Sequence, residues 1–81
     1  MTATVTVLYF ASLREAAGIA DERVQTGAPD LRGLYAELDA RYGLRWTPAQ
    51  LRVAVDGAFA CWEDALRDGS EVVFIPPVSG G

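Results

Sequence analysis

The sequence predicts an α+β domain in which a small mixed sheet packs against one principal helix. Three observations predict it: β-branched segments near both ends, one apolar stripe of helical period between them, and a tight hairpin signal after that stripe. The predicted order is β-β-α-β-β-β, with a short helical insert after the first strand. No repeat or linker divides the 81 residues, so we expect one domain over 1–75 and a flexible tail over 76–81.

The first strand and its helical insert come from the opening third of the chain. The segment 4–10 is β-branched and aromatic, which predicts a strand. Ser12 and Glu15 have the Ser-x-x-Glu spacing of a capping box, so a short helical turn should begin there and end near Gly18. The segment 22–26 is a second strand candidate, which would pair antiparallel with the first.

The principal helix is predicted between two capping residues. Asp30 is a favourable N-cap, and Gly43 is placed to end the helix. Gly33, inside the helix, should cost up to ~1 kcal/mol relative to alanine, so packing on the sheet has to hold the helix in place. The apolar side chains of one helix face are Leu31, Leu34, Tyr35, Leu38 and Tyr42.

The last three strands follow from turn signals. Asp56-Gly57 separates two short apolar runs, 53–55 and 58–60, and this dipeptide is a strong hairpin signal. Asp68-Gly69 marks another turn, and the apolar run 71–75 after it predicts the last strand. The next two residues are prolines, which cannot donate to a sheet ladder and so end the pairing.

An apolar patch is predicted on the sheet face away from the helix. Side chains alternate between the two faces of a strand, so polar Thr4, Thr6 and Glu71 identify the outer face of their strands. A contiguous exposed apolar patch usually marks a protein interface. The residues assigned to this patch are Leu8, Phe10, Phe59, Val73 and Ile75.

Composition excludes several classes of function. The formal net charge is −4 without clustered cations, so we expect no nucleic-acid partner. The chain has no histidine and one cysteine, Cys61, which argues against a metal site and favours a small packed role for that thiol. No apolar run is long enough to span a bilayer, and no secretion signal is recognisable, so we expect a cytoplasmic protein without membrane contact.

The tail offers a different kind of chemistry. Pro76 and Pro77 stiffen its base, and Gly80 and Gly81 lack the Cβ that would block a narrow channel. Six extended residues reach at most about 20 Å, which is enough to enter another protein's pocket. The working group predicted here is the Gly81 carboxylate, which ATP has to activate before acyl transfer.

Three segments of the sequence resemble the small subunit of molybdopterin synthase, a ubiquitin-like sulfur carrier. They are Leu8-Tyr9-Phe10-Ala11-Ser12-Leu13-Arg14-Glu15, Ala54-Val55-Asp56-Gly57, and the whole of 66–81. One departure is Ser70, where the family's Asp-Gly-Asp-Glu pattern has an aspartate, so we expect any difference from the family to be confined to the local turn. The resemblance implies a β-grasp fold and a heterotetramer of two large and two small subunits.

The resemblance also implies a mechanism and a set of partners. An E1-like enzyme would use ATP to adenylate Gly81, and sulfur from a donor such as a cysteine desulfurase or rhodanese would give a thiocarboxylate. This group would deliver sulfur to cyclic pyranopterin monophosphate inside the large subunit, forming the dithiolene of molybdopterin. The chain itself would be a non-catalytic subunit with no bound cofactor. The predicted partner-binding residues are the apolar patch together with Pro76, Pro77, Val78 and Ser79.

Other functions remain open from the residues alone. A sibling carrier of the same fold could serve thiamine synthesis, tRNA thiolation or cysteine synthesis. A protein modifier would join Gly81 to lysines of target proteins. A plain interaction module with an inert tail is the least favoured alternative.

Overall fold

The computed structural model describes residues 2–77 of the chain. Within this range there are eight elements, of which seven follow the predicted order and the eighth is an additional 3-10 turn before the third strand. They are β1 (Ala3–Tyr9), α1 (Ser12–Ala17), β2 (Asp21–Thr26), α2 (Leu31–Tyr42), the 3-10 turn Pro48–Gln50, β3 (Arg52–Val55), β4 (Ala58–Ala60) and β5 (Glu71–Ile75).

The five strands form one mixed sheet in the order β2-β1-β5-β3-β4. The first and last strands lie side by side at its centre and run parallel, with Leu8 beside Val73. The other neighbouring pairs, β1 with β2, β5 with β3, and β3 with β4, are antiparallel. This is the predicted α+β fold with the β-grasp arrangement. Across residues 2–77, no helix has the length and apolar character needed to cross a membrane.

The core lies between α2 and one face of the sheet. Four helix side chains are at most 2% exposed, which confirms the predicted apolar stripe apart from Tyr42, which is half-buried. The sheet supplies alternate residues of β1 and β5 to the same cluster. The side chains buried from these three elements are Leu31, Leu34, Tyr35, Leu38, Val5, Val7, Tyr9, Val72 and Phe74.

The ends of α2 are as predicted. The Asp30 side chain accepts a hydrogen bond of 2.8 Å from the Gly33 amide, and Gly43 takes the left-handed conformation, with φ of 65°, at the C-cap. Gly33 has a packing role that its helix propensity does not reveal. A Cβ at this position would lie 3.2 Å from the Ala28 Cβ and 3.3 Å from the Pro29 Cδ. The glycine therefore lets the helix approach the loop that leads into it.

The predicted capping box of α1 is wrong. Ala11 is the N-cap, and no side chain caps this end of the helix. Ser12 is already the first helical residue, and its Oγ instead accepts a hydrogen bond of 3.0 Å from the Trp46 indole. Long-range packing of Trp46 has therefore displaced the local motif. The predicted stop at Gly18 is confirmed, because this residue is the left-handed C-cap.

The hairpin of β3 and β4 turns at Asp56-Gly57, as predicted. Both residues have positive φ, 50° and 85°, which is typical of a type I′ turn. Asp56 also ties the turn to β5, since its Oδ1 accepts from the Glu71 amide at 2.9 Å and its own amide donates to the Glu71 carbonyl. Asp68-Gly69 forms the second predicted turn, and Gly69 has φ of 86°. Ser70 beside it is buried, and the turn forms with serine in place of the family's aspartate.

Candidate functional site

The face of the sheet away from α2 holds the predicted patch. Burial alternates along β1 and β5, so that their core residues are covered while Leu8, Val73 and Ile75 are half-buried. These three residues therefore lie on the outer face, as the alternation predicts. Phe10 follows β1 directly and Phe59 lies in β4; their side chains are 50% and 70% exposed.

The strand register joins these side chains into one row. Leu8 lies beside Val73, Val73 lies opposite Ala54, and Ala54 lies opposite Phe59. Directly paired residues on one face of a sheet have Cβ atoms in contact range, so the row is continuous from β1 to β4. Ala54 was not among the residues that the sequence assigned to the patch. The small side chain of Ala54 leaves a shallow depression in the row between the larger side chains of Val73 and Phe59.

Arg52 is a second residue that sequence reasoning missed. It has the same parity as Ala54 in β3 and lies opposite Ile75, so it belongs to the outer face. Its guanidinium carbon lies 5.8 Å from the centre of the Phe59 ring, within the range of a cation–π contact. The alternation in β3 could have identified its face. Its contact with Phe59 depends on the pairing of two strands and was not visible in the sequence.

The base of the tail begins at the C-terminal end of β5, next to the apolar row. β5 ends at Ile75, Pro76 is half-buried and Pro77 is exposed. Chain continuity therefore starts the tail next to the row of apolar side chains. The predictions for Val78, Ser79, Gly80 and Gly81 lie outside the described residues.

Two contacts hold the outer face in position. Phe10 is attached to α1 by the hydrogen bond of 3.0 Å from the Leu13 amide to its carbonyl oxygen, and Leu13 is fully buried. Phe59 is held through the hairpin, whose Asp56 is bonded to the start of β5. The site is therefore built on strands and anchored loops, so its geometry is set by the fold itself.

Titratable groups with raised pKa lie away from this face. The Tyr9 and Tyr42 hydroxyls both donate hydrogen bonds of 2.7 Å to Glu22 Oε2. Burial raises the pKa of Tyr9, and the hydrogen bond to Glu22 raises the pKa of Tyr42. Burial also raises the pKa of Tyr35 to about 12, and its hydroxyl donates to the Trp46 carbonyl at 2.7 Å. These tyrosines stay protonated at neutral pH and brace the core.

Cys61 is not the packed residue that was expected, because its side chain is exposed. β4 ends one residue earlier, and Cys61 opens a turn in which its amide donates to Asp64 Oδ2 at 3.0 Å. Neighbouring Trp62 supplies the packing instead, stacked on Phe74 at 5.8 Å between ring centres. Within residues 2–77, no group of three or more acidic or thiol side chains is placed to hold a metal ion.

Comparison with known proteins gives the site its context. The ThiS family model matches residues 7–81. The molybdopterin synthase sulfur carrier subunit of Escherichia coli (strain K12) is 34% identical over 80 residues, covering 95% of this chain and 99% of that protein.

Solved structures agree with the fold. The small archaeal modifier protein 1 of Methanosarcina acetivorans superposes with a TM-score of 0.84 at 25% identity, covering 100% of this chain and 99% of that one. A chain from the complex of subunits 1 and 2 of the Helicobacter pylori 26695 molybdopterin-converting factor gives 0.64 at 28% identity, covering 96% and 99%. The chain therefore belongs to the ThiS family of ubiquitin-like β-grasp proteins, among relatives that are sulfur carriers of molybdenum cofactor biosynthesis.

Proposed function

We propose that this chain is the sulfur carrier subunit of a molybdopterin synthase and that Gly81 carries the sulfur. The observation that carries the proposal is its 34% identity to the E. coli subunit over nearly the whole of both chains. The family match extends to residue 81, so it includes the Gly80-Gly81 end.

The proposed chemistry takes place at the Gly81 carboxylate. A carboxylate is a poor electrophile, so its oxygen first attacks the α-phosphate of ATP and releases pyrophosphate. Sulfide then attacks the carbonyl carbon, forming a C–S bond while the C–O bond to AMP breaks. The thiocarboxylate sulfur forms a C–S bond to a side-chain carbon of cyclic pyranopterin monophosphate while a C–O bond of that carbon breaks, and water then cleaves the acyl C–S bond to restore the carboxylate. A dithiolene has two sulfurs, so two deliveries complete it.

The proposed binding surface for the large subunit is the outer face of the sheet. This face is apolar, and covering it lowers the free energy of the complex. It consists of the exposed rings of Phe10 and Phe59 and the half-buried side chains of Leu8, Val73 and Ile75. The H. pylori complex, which contains both subunits of its converting factor, supports a large-subunit partner. From this face, Pro76, Pro77, Val78 and Ser79 would lead the terminus into the partner's active site.

Catalysis is assigned to the partners, and this chain is proposed to be a non-catalytic donor in the cytoplasm. An E1-like enzyme consumes the ATP, a desulfurase or rhodanese carries the sulfur as a persulfide from which a thiol reductant releases sulfide, and the large subunit holds the pterin. The sequence has seven arginines and no lysine. An activated Gly81 therefore meets no side-chain amine of its own chain that could intercept it.

Reconstitution tests the proposed function. Thiocarboxylated chain mixed with the large subunit and cyclic pyranopterin monophosphate is expected to yield molybdopterin, detected as its oxidised fluorescent derivative. The variant lacking Gly81 is the control and should yield none. Thiocarboxylated chain that gives no product with an active large subunit would contradict this pathway and favour a sibling carrier.

A second candidate is a protein modifier, favoured by the similarity to the archaeal modifier protein. It would form an amide bond between Gly81 and target lysines. Epitope-tagged chain expressed in its host would then show a ladder of higher-mass conjugates that resist thiol reduction. The carrier proposal expects no such ladder.

A further inference from the structure

Arg52 places a positive charge inside the apolar outer face. It lies opposite Ile75 in the sheet, and its guanidinium covers the Phe59 ring at 5.8 Å. Among residues 2–77, no carboxylate oxygen comes within ion-pair distance of Arg52; the two ion pairs there belong to Arg32 and Arg41. In the described part of the chain, the Arg52 charge therefore has no carboxylate partner.

A partner that covers this face has to cover the guanidinium as well. Phe59 and Ile75 flank Arg52, so removing either from water also removes water from the charge. Burying an unpaired charge is costly, and a guanidinium needs acceptors for its N–H groups. A guanidinium resting on an aromatic ring keeps its N–H edge available for an acceptor beside the ring.

We propose that Arg52 is a specificity contact, which pairs with an aspartate or glutamate side chain of the large subunit when the outer face is covered. This inference rests on the proposed function, which supplies the partner, and adds the chemistry that the partner needs at one point. A carboxylate matches the planar guanidinium with two parallel hydrogen bonds, which a backbone carbonyl cannot provide.

The surroundings of Arg52 have room for such a side chain. A surface groove of about 410 Å³ lies beside it, and Gln50, Phe59 and Trp62 contribute to its lining. The chain carries a net charge of −4, so Arg52 is a positive point on an acidic chain, and an acidic side chain of the partner is attracted to it locally. Charge pairs of this kind select the correct partner and fix its orientation more than they add affinity.

Calorimetric titration of the full chain into the purified large subunit tests the inference. Arg52→Glu should weaken binding by roughly 30-fold or more, because it places two like charges together. Arg45→Glu is the control for charge, since it makes the same change in the loop after α2. It should bind like the wild type. Arg52 is exposed, and circular dichroism should show every variant folded.

Restoration of binding identifies the partner's group. Acidic residues of the large subunit's contact face are changed to arginine one at a time and titrated with the Arg52→Glu chain. One of them should restore binding to within about tenfold of the wild-type pair.

Three results would overturn the inference, and they point to different errors. If Arg52→Glu binds like the wild type while Phe59→Ala binds weakly, the face is correct and the charge pair is wrong. Failure of every acidic-to-arginine change to restore binding would also exclude the pair. Wild-type chain that does not bind the large subunit would instead overturn the proposed function itself.

Discussion

At the scale of single residues, the aromatic side chains divide between two roles. Tyr9 and Tyr35 are buried with their hydroxyls paired, whereas Phe10 and Phe59 are half or more exposed although they have no polar atom. Burial of a hydroxyl is tolerated when it is hydrogen-bonded, so the tyrosines can serve the core. Exposed phenylalanine rings contribute little to folding and are the side chains that a partner would cover.

The buried tyrosines predict a loss of stability in alkali. The folded-state pKa of Tyr35 is raised to about 12, above the ordinary value of about 10 for an unfolded chain. Its contribution is therefore complete below about pH 10 and is lost as pH rises through 12. In that window a single such group lowers the free energy of unfolding by up to about 1.4 kcal/mol per pH unit.

Urea unfolding of the wild type and of Tyr35→Phe, measured from neutral pH to pH 12, checks this prediction. At neutral pH the variant should lose about 1 kcal/mol, because the hydrogen bond to the Trp46 carbonyl is gone. Between pH 10 and 12 its stability should fall less steeply than that of the wild type. The raised pKa of Tyr9 and Tyr42 leaves a residual slope in both proteins. Parallel pH profiles would show that Tyr35 titrates normally.

At the scale of elements, α2 shows how packing outweighs propensity. Glycine inside a helix is unfavourable, yet Gly33 lies where a Cβ would crowd Ala28, Pro29 and the capping Asp30. The helix therefore gives up intrinsic stability at one position and gains a close approach to the preceding loop. The same loop provides the N-cap, so the start of α2 is fixed by contacts on both sides.

Gly33→Ala is predicted not to raise the free energy of unfolding, although a change from glycine to alanine inside a helix usually does. In an exposed helix interior the change from glycine to alanine adds up to ~1 kcal/mol, but here the added methyl meets three atoms at 3.2–3.3 Å. The matched control is Ala36→Gly on the exposed side of the same helix, which should cost ~0.5–1 kcal/mol. Both free energies come from urea unfolding. A gain of about 1 kcal/mol for Gly33→Ala would show that the loop yields without cost.

At the scale of the whole molecule, folding, binding and chemistry are assigned to different parts. The core fills the side of the sheet that faces α2, the apolar row lies on the opposite side, and the proposed reactive group lies at the end of the tail. A domain this small buries only about 60–65% of its unfolded surface, so it has little room for an enclosed active site. Delivering a group to a partner's pocket suits such a domain.

How much the sequence predicted depends on how local each signal is. Asp30, Gly43 and Asp56-Gly57 act within a few residues of themselves, and each is placed as predicted. The alternation in β1 and β5 likewise assigned Leu8, Val73 and Ile75 to the correct face.

The features that were missed depend on contacts between distant segments. Ser12 has the spacing of a capping residue, but an indole 34 residues away in sequence takes its hydroxyl. Cys61 is exposed because β4 ends before it and Trp62 fills the adjacent core position. The contact of Arg52 with Phe59 requires the register of β3 on β4. Such pairings follow from the tertiary structure, which local patterns do not specify.

The central claim, that Gly81 carries sulfur, is tested most directly by intact mass spectrometry. The chain is incubated with ATP, an E1-like adenylating enzyme and a sulfide donor, beside a variant lacking Gly81. We expect a mass increase equal to the exchange of one oxygen for one sulfur, confined to the C-terminal peptide and absent from the variant. An unchanged mass, under conditions that thiolate the E. coli subunit with its own enzyme, would contradict the claim.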